Sequence, residues 1–188
     1  MSMFIVFEGI DGCGKSTHAR LAAQWLEQEG LRSFLTSEPT SQWTGKFIRQ
    51  ILSGKEEVDP MTLALLFTAD RYEHLAKEVD PAIEEGKIVV CERYTYSTIA
   101  YQHAQGLSWN WLHELNKYAR KPDLTILLDV PPQEGEKRTE TGEIFEKAEF
   151  LGTVRDNYLK FDDLVRIDSS RAQDAVAEDV RKAIGMLL

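Results

Sequence analysis

The chain has 188 residues and a formal charge of −9, from 22 basic and 31 acidic residues. That length suffices for one ordinary domain with a full core, and no basic patch or stripe is visible for a polyanion, so nucleic acid is not an expected partner, while the charge does not exclude a single nucleotide in a local pocket. The two cysteines, Cys13 and Cys91, have no metal-ligand spacing and fit a reduced cytoplasmic setting; no apolar run approaches the roughly 18 residues of a membrane span, and no leader is expected.

The first apolar run, Met3-Phe4-Ile5-Val6-Phe7, reads as a buried strand. Gly9-Ile10-Asp11-Gly12-Cys13-Gly14-Lys15-Ser16 follows, matching the phosphate-binding pattern G-x-x-x-x-G-K-[ST], with Thr17 after it. Leu21, Ala22, Trp25 and Leu26 then recur at helical spacing. A loop between a strand and a helix N-terminus presents free N–H groups and a favourable dipole to an anion. Lys15 can reach the β- and γ-phosphates of a nucleotide, and the Ser16 hydroxyl can bind Mg²⁺. Cys13 reads as a small filler more readily than as an oxidation target.

Gly30 ends that helix, and Ser33–Thr36 reads as a second strand. Trp43 to Leu52 looks helical, stopped by Ser53-Gly54; Pro60 opens the next helix, whose apolar side is Leu63, Leu66, Phe67 and Leu75. Gly86 ends a further short helical piece before the strand Ile88–Cys91. Tyr94 to Ala104 and Trp109 to Tyr118 read as helices, and Leu124 to Val130 is the clearest buried strand. Pro131-Pro132 opens a new segment. The polar stretch Glu134 to Glu146 reads equally as a mobile lid or a solvated surface turn. Glu146 to Leu159 is predicted helical, Leu164–Ile167 a last strand, and Val176, Val180 and Ile184 mark a final helix that Asp168 or a following serine is expected to cap. Apolar strands alternating with helices predict an α/β fold: a mainly parallel sheet covered on both faces. None of His18, His74, His103 and His113 has metal spacing.

Several motifs in order resemble the thymidylate kinase family over nearly the full length. They are Phe7 to Thr17; Glu38-Pro39 after strand two; Ile48-Arg49; Leu66-Phe67-x-Ala69-Asp70-Arg71-x-x-His74; Glu92-Arg93-Tyr94-x-x-Ser97-x-x-Ala100-Tyr101-Gln102; Leu128-Asp129-Val130-Pro131-Pro132; and Val154-Arg155-x-x-Tyr158. The chain differs from that family in carrying Ser37 for the arginine before Glu-Pro, Thr40-Ser41-Gln42 for Gly-Gly-Thr, and Glu92 for the aspartate of Asp-Arg-Tyr. The resemblance implies a three-layer α/β/α P-loop NTPase fold with a five-stranded sheet, a single domain over 1–188 with a lid about 134–146, and a homodimer.

It also implies the reaction ATP + dTMP ⇌ ADP + dTDP, with Mg²⁺. The acceptor is an anionic phosphate oxygen, so the site has to hold two polyanions together rather than supply a general base. In this reading Gly9 through Thr17 hold ATP, with Lys15 on its phosphates, and Ser16 and Glu92 hold the metal. Arg93 and Arg49 grip the acceptor phosphate, as guanidinium can donate two parallel bonds to it. Arg71 meets the thymine carbonyl edge, Phe67 stacks on the base, Asp11 meets the sugar 3′-hydroxyl, and Tyr101 fills the space beside C2′. Ser97 and Gln102 complete the base pocket, with Glu38 beside it, and Arg138 closes over the transferring group because Gly12 stands where other members carry a loop arginine. Without the resemblance, Phe67, Tyr94 and Tyr101 read as core, Asp70 and Arg71 as a solvated helix face, and Trp109 and Trp111 as core or a subunit contact. Two alternatives stand beside the kinase reading: a kinase for another nucleoside monophosphate, and a nucleotide-binding switch or ATPase module.

Overall fold

Each predicted apolar run becomes a strand: β1 (Met3–Glu8), β2 (Ser33–Ser37), β3 (Ile88–Glu92), β4 (Leu124–Asp129) and β5 (Val165–Asp168). In the computed structural model, which describes residues 2–139, 145 and 147–188, they form one sheet in the order β2-β3-β1-β4-β5. All four pairings are parallel. Every residue of β1 is buried, as expected of a central parallel strand covered on both faces.

The helices are α1 (Lys15–Gln28), α2 (Trp43–Leu52), α3 (Pro60–His74), α4 (Asp80–Glu84), α5 (Thr95–Ala104), α6 (Trp109–Asn116), α7 (Pro132–Arg138), α8 (Ala148–Tyr158) and α9 (Gln173–Gly185). Alternate β1 side chains serve different layers, because strand side chains alternate between faces. Met3, Ile5 and Phe7 pack in one cluster with Ala22 and Leu26 of α1 and Val180 and Ile184 of α9. Phe4 and Val6 pack in another with Leu75, Val79, Ala82 and Tyr94. The result is the three-layer α/β/α arrangement.

The carboxyl ends of three neighbouring strands are level: Phe7 of β1 and Ser37 of β2 both pair with Glu92 of β3. The chain leaves β1 between strands that continue the sheet in opposite directions, β3 on one side and β4 on the other. That point of an open α/β sheet is where ligands bind, and the phosphate loop sits there.

Four local features differ from the sequence expectations. The final helix is not capped by Asp168 or a serine: it starts at Gln173 after Ala172, which makes no side-chain cap. Asp168 instead accepts from the Ser170 N–H and hydroxyl in a tight turn, at 2.9 and 2.6 Å. Pro132 starts the short helix α7, since proline is tolerated at a first helical position. Between α3 and α4 the chain makes a π-helical turn, Leu75–Val79, running straight into α4 at Asp80-Pro81. The helix after Trp109 ends at Asn116, two residues early. Of the expected lid, residues 140–144 and 146 lie outside the described residues, as does the Glu146 start of the following helix.

Candidate functional site

The loop between β1 and α1 gets its curvature from glycine. Gly12 and Gly14 hold left-handed φ of 75° and 92°, which L side chains rarely adopt. At Gly12 a Cβ would also collide with the Gly135 carbonyl oxygen of α7, so the loop and α7 touch backbone to backbone. Lys15 is the first residue of α1; its ammonium is buried and donates to the Ile10 carbonyl at 2.8 Å. Ile10 and Cys13 turn their side chains into the core, with 2% and 1% exposure, so what they offer a ligand is backbone. Burial pushes the Cys13 thiol up. A side chain at Gly9 would strike the Leu128 carbonyl, which fixes the loop against β4.

A cleft of about 610 Å³ opens over this loop. On one side it is lined by Asp11, Gly12, Gly14, Lys15, Ser16 and Thr17, and on the other by Glu38, Arg49, Phe67, Arg71, Ser97, Tyr101 and Gln102. Glu92 and Arg93 lie between the two sides, at the end of β3, and Arg138 borders the cleft from α7. The Ser16 hydroxyl donates to the Glu92 carboxylate at 2.9 Å. A hydroxyl and a carboxylate are hard oxygen donors of the kind Mg²⁺ takes alongside water and phosphate. Among the described residues no three His, Cys, Asp or Glu side chains form a protein cage for a metal.

Arg93 is the only non-glycine residue with positive φ, 65°, among those described. Its guanidinium pairs with Asp11, lies 5.1 Å from the Tyr101 ring centre, and reaches Ser97 at 3.4 Å. Tyr101 donates to the other Asp11 oxygen at 2.9 Å. Burial works against the Asp11 charge, but Arg93, Lys15 and the Tyr101 hydrogen bond outweigh it and hold the carboxyl below its usual value. Asp11 thus arrives in the cleft already ionised and already partnered.

The opposite wall is built from buried ions. Arg71, with 1% exposure, donates through Nε and Nη2 to Glu38 at 3.0 and 2.7 Å, through Nη2 to Thr98 at 2.9 Å, and through Nη1 to Asn116 at 2.5 Å. Four of its five N–H donors are therefore occupied, and one Nη1 hydrogen is left for the cleft. His74 meets the other Glu38 oxygen at 3.1 Å. Asp70, fully buried, accepts from the Thr40 N–H and hydroxyl at 2.8 and 2.6 Å. The solvated-face reading of Asp70 and Arg71 is thereby overturned: both point inward and fix the turn after β2. Arg49 donates to the Pro39 carbonyl at 2.5 Å and to the Thr40 carbonyl. Phe67 is half-buried beside the Ile48 and Leu63 cluster and also borders the cleft. Gln102, 1% exposed, donates to Gln105 at 3.3 Å while its buried carbonyl oxygen has no partner among the described residues. Trp109 packs inward, stacked on Phe161 at 4.9 Å. Arg138 donates to Glu134 at 3.0 Å and to the Ser169 carbonyl at 3.2 Å.

Sequence reasoning named nearly every residue around the cleft but missed those behind it. Thr98 sat unremarked inside the Ser97-to-Gln102 motif. Asn116 and the partnering of Asp70 had no local signal, as their contacts span 45 and 30 residues.

Comparison with known proteins decides the family. The thymidylate kinase family model matches residues 7–180. The chain belongs to the thymidylate kinase family. A relative in Thermococcus gammatolerans, named a probable thymidylate kinase, is 43% identical over 200 residues, covering 100% of this chain and 96% of its own. One of the same name in Thermococcus onnurineus is 46% identical, covering 99% and 97%, and one in Pyrococcus abyssi is 42% identical, covering 94% and 93%. The family match thus spans the phosphate loop, the α3 wall and the α7 edge of the cleft together. Among the described residues no helix is long and apolar enough to cross a membrane.

Proposed function

We propose that this chain transfers the γ-phosphoryl group of ATP to dTMP, giving ADP and dTDP. The observation that carries this is one cleft shared by two half-sites: the phosphate loop with Lys15 and Ser16 on one side, and Arg49, Phe67, Arg71 and Tyr101 on the other, with Arg93 between them. ATP occupies Gly9 through Thr17, where the loop amides and Lys15 neutralise phosphate charge. Ser16 would hold Mg²⁺ through its hydroxyl and Glu92 would hold it through water, and the ion would neutralise phosphate charge. Arg93 and Arg49 take the acceptor phosphate. Phe67 stacks on thymine, the remaining Arg71 N–H and the unpartnered Gln102 oxygen face its polar edge, Ser97 backs the base pocket with its hydroxyl held by Glu8, and Asp11 and Tyr101 meet the sugar, with Glu38 anchoring Arg71 from behind. Arg138 closes over the transferring phosphoryl group.

The acceptor oxygen is already anionic, so the protein's task is alignment, charge neutralisation and exclusion of water. The test is ADP release from ATP and Mg²⁺ with dTMP, dUMP, UMP, dCMP, AMP, GMP or thymidine as acceptor. Turnover strongest with dTMP supports the assignment. Turnover strongest with another monophosphate overturns the base-pocket roles, and hydrolysis independent of any acceptor overturns the kinase reading.

The whole chain acts in this reading as one domain, with a lid of about 134–146 that starts on α7. A homodimer is supported by exposed apolar side chains on the paired helices α2 and α3: Trp43, 75% exposed and stacked on Phe47, and Met61 and Leu65. Sedimentation as a monomer at micromolar concentration would remove it. A cytoplasmic setting is supported by the two unpaired cysteines.

A further inference from the structure

Glu8, the last residue of β1, is completely buried, and no ligand contact above is assigned to it. Its carboxylate accepts four hydrogen bonds: from the Tyr94 N–H at 2.9 Å, the Ser97 N–H at 3.1 Å, the Ser97 hydroxyl at 2.5 Å and the Tyr158 hydroxyl at 3.0 Å. Two of those donors are free backbone N–H groups at the start of α5, whose own N-cap residue, Tyr94, provides no side-chain cap. A helix start buried without partners is costly. Here the cap comes from a different strand, 86 residues away in sequence.

The residue before that cap is Arg93, held at φ 65°. A left-handed arginine persists only where its surroundings over-determine it. Both neighbouring peptide units are pinned from the end of β1: the Arg93 N–H donates to the Phe7 carbonyl at 2.9 Å, and the Tyr94 N–H donates to Glu8. The twist turns the Arg93 side chain toward Asp11 and the phosphate loop rather than along α5. Ser97 bridges the two, donating to Glu8 while accepting from Arg93 at 3.4 Å. Tyr158 at the end of α8 closes the cluster, 2.9 Å from the Ser97 hydroxyl.

We infer that Glu8 is a positioning residue for the acceptor phosphate: by capping α5 from β1 it holds Arg93 in the left-handed conformation that aims its guanidinium at that phosphate. The inference rests on the proposed role of Arg93. It assigns Glu8 no contact with either nucleotide. Its signature is a penalty confined to ligands that carry the acceptor phosphate, which general loosening of the fold does not produce.

The experiment measures binding of dTMP, and of thymidine, which lacks the phosphate, to the full chain by calorimetry. The variants are Glu8→Gln, Arg93→Ala and the double Glu8→Gln/Arg93→Ala. Glutamine preserves the shape of the cap and removes its charge. Expected are dTMP binding weakened about tenfold in Glu8→Gln, on the scale of a lost charged hydrogen bond, thymidine binding within about twofold of the parent, and a double variant no weaker than Arg93→Ala alone, the non-additivity of groups acting as one unit. If Arg93→Ala weakens dTMP and thymidine alike, the role of Arg93 fails and the inference falls with it. If Arg93→Ala separates the two ligands but Glu8→Gln does not, or the two losses add, only the Glu8 inference is overturned. Should Glu8→Gln not fold, Tyr158→Phe removes one donor from the same carboxylate. The same dTMP-only loss supports the inference there, and no loss or an equal loss with thymidine overturns it.

Discussion

Replacing Gly135 with alanine tests the contact through which the phosphate loop meets α7. A Cβ at Gly135 would stand 2.6 Å from the Asp11 carbonyl oxygen and 3.1 Å from Ile10 Cδ1. Ordinary contact begins near 3.4 Å, so the two backbones have to separate by about 0.8 Å, because the Asp11 contact is backbone and has no side-chain end that can swing away. Alanine is otherwise the better helix former by about 1 kcal/mol, so any loss comes from the clash, which at about 1–3 kcal/mol for an overpacked site exceeds that gain. Arg138 lies three residues further along the same short helix and is displaced with it. A misplacement of about 1 Å in a site that works by alignment costs on the order of a hundredfold. Gly135→Ala is therefore expected to lower kcat/KM for phosphoryl transfer about 10- to 100-fold, with a fall in Tm of only a few degrees. In an Arg138→Ala background the same change is expected to add little. Steady-state kinetics of ADP release on the four proteins decides it: a Gly135→Ala enzyme within twofold of the parent refutes the reasoning from contact to alignment.

Three further outcomes follow from the same geometry. Lys15→Ala is expected to abolish phosphoryl transfer while circular dichroism and Tm stay near the parent; near-full turnover would sink the phosphate-loop assignment. Arg71→Ala leaves Glu38 and Asn116 buried without their main partner, so urea denaturation is expected to show a loss of about 3–5 kcal/mol, the scale for breaking a buried ion pair, together with a KM for dTMP that rises more than that for ATP; unchanged stability would contradict the buried network. Asp129 is held below the ordinary aspartate value of 3.8: burial opposes its charge, but hydrogen bonds from Arg155 and Arg166 outweigh that. A carboxyl depressed on folding contributes stability that is full above the unfolded value and is lost as pH falls through the folded one. The stability gap between the parent and Asp129→Asn should therefore be constant near neutrality and narrow below about pH 3.8. A gap that widens on acidification would reverse the assignment.

What the sequence determined alone was whatever depends on neighbours in the chain. The phosphate loop is legible because a strand, a glycine-rich turn and a helix start are consecutive, and their geometry follows from local backbone preferences. The parallel sheet was legible because strands buried on both faces read as continuous apolar runs. The residues assigned to the acceptor wall could be named only from the resemblance of the motifs around Arg71 and Arg93 to the family, each motif being a short continuous stretch of chain.

Tertiary structure decided how those pieces face one another. Nothing in Asp70-Arg71 says that both side chains turn inward. That depends on Thr40, Glu38, Thr98 and Asn116 arriving from other elements to satisfy their charges, since an ion is buried only where partners meet it. The backbone contact between Gly12 and Gly135 joins segments more than a hundred residues apart, and neither glycine announces it. Glu8 is the sharpest case. In the sequence it is one letter of a loop motif, but folding places it under the first turn of α5, where its carboxylate supplies the cap that α5 lacks and fixes the backbone on which Arg93 is twisted toward the cleft.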